Sequence, residues 1–405
     1  MRIAAALLLA LLLASGLGWV FIESDPARPT PSTGVAVPEF IGSPAAARPI
    51  AAVSPRIQHP FLAPAGLNSM HNDAAQSDSY PWAGPLGVDP QVSSKQFHRM
   101  LGSCVAQTFS SRGEMIGTCV TPFGVTLVAR DPDTLEILAR QVITRWLPIG
   151  SKFSGGVYFH LDEQDRVLLA TNDLAIQLWK LRRADGEYSW HLQQEFPLVR
   201  LLQQAGDGPH RIIDVMPDWE GNYWFITRDG AVGTVDASGQ NGQLMSLGNT
   251  GQREGIDNAL AVGPGGVFVV SSHAMYSFRR GSAGEIVTQW RKAYDRGSAP
   301  KAGTMGWGAG TTPTLMGTDY VAITDNADGQ VNVMVYAQDD GREVCKHGIF
   351  PADRGTTENS LSAVGNALIA ENNFGYSGPR NVPGSEPGLA RIDVLADGSG
   401  CTTAW

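Results

Sequence analysis

The chain has 405 residues and a formal net charge of -9, from 39 acidic and 30 basic side chains. That balance, with no run of Lys and Arg, argues against a nucleic-acid partner, which needs a basic stripe to displace counterions from phosphates. Hydrophobic residues at 43% exclude general disorder, and 47 glycines with 25 prolines favour turns and short strands over long helices.

Residues 1–24 carry Arg2 and an apolar run from Ile3 to Ile22, the pattern of an export signal. Ala14, Ser15 and Gly16 offer a cleavage site, and the run is also long enough to span a bilayer as an uncleaved anchor. The expected location is therefore periplasmic or secreted, with residues 3–22 as the only membrane attachment. Residues 25–66 hold nine prolines, which preclude a helix or a central strand and predict an extended linker. Residues 67–99 are polar and turn-rich, with His71, Asn72, Asp73 and Asp78 ahead of the aromatics Tyr80 and Trp82. Those aromatics predict a segment that packs on the folded domain.

From residue 100 to 405 one unit recurs: an apolar strand, a Gly or Asp turn, a second apolar strand, then an abrupt polar pair. The copies end at Asp131, Asp173, Asp229, His273, Asn326 and Asn373. A mean spacing of about 48 residues, with β-rich copies and turn residues between, is the signature of propeller blades, each a four-stranded antiparallel sheet. The predicted fold class is all-β: a six-bladed β-propeller over residues 100–405, preceded by the signal or anchor and the proline-rich segment.

The four cysteines, Cys104, Cys119, Cys345 and Cys401, form no CxxC and no His-paired metal pattern, which suits an oxidising compartment. Four cysteines allow three connectivities. The sequence-local one, Cys104–Cys119 with Cys345–Cys401, puts a bridge near each end of the ring, where closure is weakest.

Because the second strand of a blade runs back antiparallel to the first, starts of first strands and ends of second strands crowd one rim. Read on the repeat, starts supply Glu114, Ser154, His210, Asp214, Asp257, Asn258, Thr311, Thr312, Glu358 and Asn359. Ends supply Asp131, Asp173, Asp229, His273, Asp325, Asn326, Glu371, Asn372 and Asn373. Carboxylates and amides are the oxygen donors that calcium prefers, although Asp and Asn also gather there simply because they initiate turns. Asp325, Asn359 and Glu371 are the donors in the last two copies.

The repeat, the turn Asp218-Trp219-Glu220-Gly221-Asn222-Tyr223-Trp224 and the run Asn258-Ala259-Leu260-Ala261 resemble the gluconolactonase, regucalcin and paraoxonase group of six-bladed propellers. The resemblance implies a calcium-dependent lactonase or esterase, with Glu114 and Asn258 as metal ligands. The group's third ligand, an Asp, finds Thr311 and Thr312, so Asp325 stands in; its Glu-Gly-Pro opening finds Glu114-Met115-Ile116. A rim-bound calcium would polarise a lactone or ester carbonyl while a base activates water. His273 is the first choice of base, since it replaces the acid or amide of the other copies, and His210 the second.

No Gly-x-Ser-x-Gly elbow, His-Glu-x-x-His or P-loop is present. Two other classes stand beside the hydrolase. One is a non-catalytic envelope propeller that binds a ligand, glycan or protein through surfaces such as Trp82, Trp307 and Tyr376; the other is a propeller lyase or isomerase.

Overall fold

Runs such as Arg166–Ala170, Tyr223–Thr227 and Gly266–Val270 are apolar at nearly every position, which a strand sustains only when both its faces are covered. The computed structural model covers them with neighbouring sheets. It describes residues 48–50, 57–68, 71–82, 84, 93–95 and 103–405, apart from 122–123, 146–157, 207, 209, 250–251, 305, 378–384 and 387. The apolar run 3–22 lies outside the described residues, and among those described no helix is long and apolar enough to cross a membrane.

The chain is all-β. Sheet one holds β1 (Ser103–Phe109), β2 (Met115–Thr121), β3 (Gly124–Arg130) and β4 (Ile137–Arg145). Sheet two holds β5 (Phe159–Leu161), β6 (Arg166–Ala170), β7 (Ala175–Ala184) and β8 (Glu187–Pro197). Sheet three holds β9 (Ile212–Pro217), β10 (Tyr223–Thr227), β11 (Ala231–Val235) and β12 (Gln243–Ser246). After a short hairpin of β13 (Gly248–Asn249) and β14 (Gln252–Arg253), sheet four holds β15 (Ala261–Gly263), β16 (Gly266–Val270), β17 (Ala274–Arg280) and β18 (Ile286–Ala293). Sheet five holds β19 (Thr314–Met316), β20 (Tyr320–Thr324), β21 (Val331–Ala337) and β22 (Glu343–Ile349); sheet six holds β23 (Ser362–Val364), β24 (Ala367–Glu371), β25 (Leu389–Val394) and β26 (Cys401–Thr403).

Each sheet is a four-stranded antiparallel meander, and five hydrophobic clusters lie one between each consecutive pair of sheets. Period-2 alternation builds them. In β16, Val267 and Val269 face sheet three while Phe268 and Val270 face sheet five; in β10, Trp224 and Ile226 face sheet four while Phe225 faces sheet two. Sheets stacked face to face in chain order, with their first strands innermost, make a β-propeller.

In sheet one the repeat is offset by a strand. The repeat predicts a first and second strand in the copy ending at Asp131, but its strands are β2 and β3, with β1 paired ahead of them. The reason is burial: β3 is buried throughout and β2 nearly so, mimicking the inner pair elsewhere, whereas β1 exposes Gln107 and Phe109. Among the described residues no sheet mixes strands from the two ends of the chain.

The axis is occupied by the chain itself. The His59 ring lies 3.0 Å from the Pro217 carbonyl at the end of β9, and Ala63 N–H donates to Leu161 O of β5. Further on, Val262 of β15, Leu315 of β19 and Ala363 of β23 donate their N–H groups to the carbonyls of Ala74, Ala75 and Ser77. Residues 59–68 and 71–79 therefore form a plug bonded to the first strands of five sheets. The proline-bearing stretch expected to be a linker is engaged even earlier, where the carbonyls of Arg48 and Pro49 accept from the buried Arg391 of β25.

Both sequence-local cysteine pairs are disulfides. Cys104–Cys119 links the adjacent strands β1 and β2, and Cys345–Cys401 staples sheet five to sheet six through β22 and β26. Neither joins the first sheet to the last, so the closure role expected of them does not apply.

Candidate functional site

In sheets three to six the starts of first strands and the ends of second strands do share one rim. His210, ahead of β9, places Nδ1 2.9 Å from Asp229 Oδ2 after β10; Thr324 N–H of β20 donates to Thr311 Oγ1 ahead of β19. Asn359 Nδ2 donates to Glu371 Oε2 at 2.6 Å. Ser154 lies outside the described residues.

Glu114 is not on this rim. It sits in the β1–β2 turn, where Ser111 N–H donates to Asp165 in the β5–β6 turn, at the opposite end of the strands. Its carboxylate accepts the Ser110 hydroxyl and pairs with Arg112 at 3.2 Å. Asn258, on the rim, donates Nδ2 to Ala309 O. The pair that the resemblance implies as calcium ligands is thus separated, because the strand offset in sheet one moves Glu114 to the other face. Asp325 is turned inwards: Oδ1 accepts the Ala327 and Asn332 N–H groups and Oδ2 the Asn332 side chain, with Lys346 at 3.5 Å. Burial nevertheless pushes its carboxyl above the usual range. Among the described residues no group of three or more His, Cys, Asp or Glu is arranged to hold a metal.

Neither proposed base offers a free nitrogen. His273 Nε2 accepts from Arg296 Nη1 at 2.7 Å, since a guanidinium only donates, and Nδ1 meets Ser272 Oγ at 2.9 Å. Partial burial, followed by the Arg296 charge, holds this histidine below its ordinary value and therefore neutral. His210 Nε2 donates to Gly206 O while Nδ1 faces Asp229. Arg296 in turn stacks 3.9 Å from the centre of the Trp307 ring.

Beside His273 lies a network that the repeat does not mark. Glu254 is 5% exposed and accepts from Ser271, Tyr276 and Arg291. Burial opposes its charge, but those three hydrogen bonds outweigh it and hold the carboxyl below the ordinary range. In the glycine-rich run Gly306–Gly310, a Cβ on Gly310 would lie 1.8 Å from Thr357 O in the approach to β23, so the glycine serves close approach.

The plug carries the buried polar core. His160 Nε2 lies 2.9 Å from Asp214 Oδ1, both about 1% exposed, and its Nδ1 faces Asn68 of the plug. His71 pairs with Asp78 at 2.9 Å and stacks on Tyr158, whose phenol is raised by burial and by the nearby Asp214, Glu358 and Asp78 charges. Gln76 is fully buried with neither amide atom partnered.

His59 shows how the plug titrates. Its ring accepts the Phe61 N–H at Nδ1, so Nε2 carries the proton to Pro217 O, and burial pushes its pKa down to about 4 from 6.5. The folded value lies below the unfolded one, so this stabilisation is complete above pH 6.5 and is lost as pH falls towards 4. We expect the advantage of wild type over His59→Gln to fall by about 3 kcal/mol between pH 7 and pH 4 in urea unfolding; a constant difference would contradict it.

At the mouth opposite the rim, the plug forms one wall of a cavity of about 420 Å³. The first-to-second-strand turns of sheets three to six and the β25–β26 turn form the rest, with Trp219, Met316, Tyr320, Val364, Asn366 and Leu395 among its lining. Nothing in the repeat signalled it, since its floor comes from outside the repeat.

No family model and no curated protein matches the sequence, so the gluconolactonase resemblance stands without a family match. Solved β-propeller structures are similar in fold. Virginiamycin B lyase from Staphylococcus aureus is 11% identical over 73% of this chain and 82% of its own, with a TM-score of 0.41. BamB from Moraxella catarrhalis is 16% identical over 66% and 81%, at 0.33. The WD40 domain of Toxoplasma gondii coronin is 10% identical over 75% and 73%, at 0.43.

Proposed function

We propose that the chain is an exported propeller, closed as a six-bladed ring, that binds a small molecule in the mouth cavity and does not hydrolyse esters or lactones with calcium. The plug carries this reading: residues 59–68 and 71–79 fill the axis and leave a ligand-sized cavity where they meet the turns of sheets three to six. The separation of Glu114 from Asn258 and the engaged nitrogens of His273 and His210 weigh against the hydrolase. Two disulfides fit an oxidising compartment.

In protein carrying ¹³C-methyl methionine, added 2-phenylethanol is expected to move the Met316 signal, assigned through Met316→Leu. The signals of Met216 and Met275, fully buried between sheets, should stay in place. Calcium-dependent hydrolysis of any member of a panel of lactones and aryl esters, or a melting temperature that falls with EDTA and recovers with calcium, would overturn the proposal.

A further inference from the structure

The chemistry of the mouth cavity selects one kind of ligand, an inference that rests on the binding role proposed above. Among the described residues lining it there is no Lys, Arg or His, whereas Asp319 stands on its edge; the Asp73 carboxylate in its floor accepts the Ser77 N–H and hydroxyl. The polar groups left over are acceptors. Asn366 uses its Nδ2 on Val394 O, and its buried Oδ1 has no partner. Gln338, 3% exposed, stands behind the wall and donates Nε2 to Gly317 O and Tyr320 O, both of lining residues. Its Oε1 is unpartnered and lies 3.5 Å from where a Cβ on Gly263, another lining residue, would be.

Asn366 lines the cavity, and an acceptor left there without a donor calls for a ligand that brings N–H or O–H groups. The Asp319 carboxylate, with no cation among the described lining residues, calls for positive charge, and Trp219 and Tyr320 offer the ring surfaces that attract it. Leu315, Met316, Val364 and Leu395 supply an apolar remainder. We infer that the cavity takes an organic cation, a protonated amine on an apolar body.

Three probes of nearly equal shape separate the possibilities: 2-phenylethylammonium, neutral 2-phenylethanol and anionic 3-phenylpropionate, each titrated at pH 7 against the Met316 methyl signal and by calorimetry. The ammonium probe is expected to bind at least about tenfold tighter than the alcohol at low salt, and the anion weakest. Asp319 is exposed, so raising salt to about 0.5 M, where the Debye length falls to a few ångströms, should shrink the preference. Asp319→Asn should weaken the ammonium probe alone, and Asp319→Lys should turn the order towards the propionate. If the alcohol binds as tightly as the amine while Met316 still responds, the cation inference falls and the binding role stands. If no probe moves Met316, both fall.

Discussion

A chain lacking residues 48–80 is expected to show no cooperative unfolding transition. With no sheet among the described residues shared between the two ends of the chain, the plug is the element that bonds sheets two to six to one segment. Its loss removes the Ala63, Asn68, Ala74, Ala75 and Ser77 backbone bonds to first strands, together with the His59 and Ser79 side-chain bonds. At about 1 kcal/mol for each, before counting the buried Leu62, the loss matches the whole 5–15 kcal/mol that typically holds a domain folded. A milder version is quantitative: Leu62→Ala, at a site 2% exposed between sheets three and four, should cost about 2–4 kcal/mol in urea unfolding. A truncated chain that melts like wild type would show the plug to be a passenger.

The second large effect belongs to Asp214. Its carboxylate receives His160 Nε2 and the N–H groups of Val215 and Leu260, tying β5, β9 and the approach to β15 together at almost zero exposure. Asp214→Ala leaves the imidazole and two N–H groups buried without acceptors, for an expected loss of about 3–5 kcal/mol. Asp214→Leu with His160→Phe removes both polar members and should recover much of that loss, because an apolar pair of matching volume leaves nothing unpaired. Equal losses for the single and double variants, in denaturant titrations with unchanged slopes, would show that packing rather than the polar pair sets the cost.

The sheets two to six were legible because their second strands must be apolar on both faces, which gives runs such as Tyr223–Thr227, and because Gly or Asp turns punctuate them. Sheet one misled for the same reason, since β3 is as buried as any inner strand and β1 is half exposed. The single strand of error moved Glu114 to the wrong face and with it the expected calcium site. His273 stands out as a departure from the repeat, but Arg296, which occupies its Nε2, stands 23 residues later in a loop with no periodicity. The aromatics of residues 67–99 marked a segment that packs on the folded domain but not where it sits, because the bonds that place it are mostly backbone bonds to strands far along the chain, and these are blind to side-chain pattern.

That placement of the plug also bears on the order of events in folding. Ser77 is made before any sheet, yet its carbonyl is claimed by Ala363 in the last one. The plug, made ahead of every sheet, must wait with its acceptors unfilled until the final sheet arrives, and the ring assembles around it. Contacts of such long sequence separation slow folding and keep apolar edges exposed meanwhile. An early stop in synthesis would therefore release a chain whose plug has too few sheets to bond, so refolding rate, more than equilibrium stability, should limit the yield of this protein.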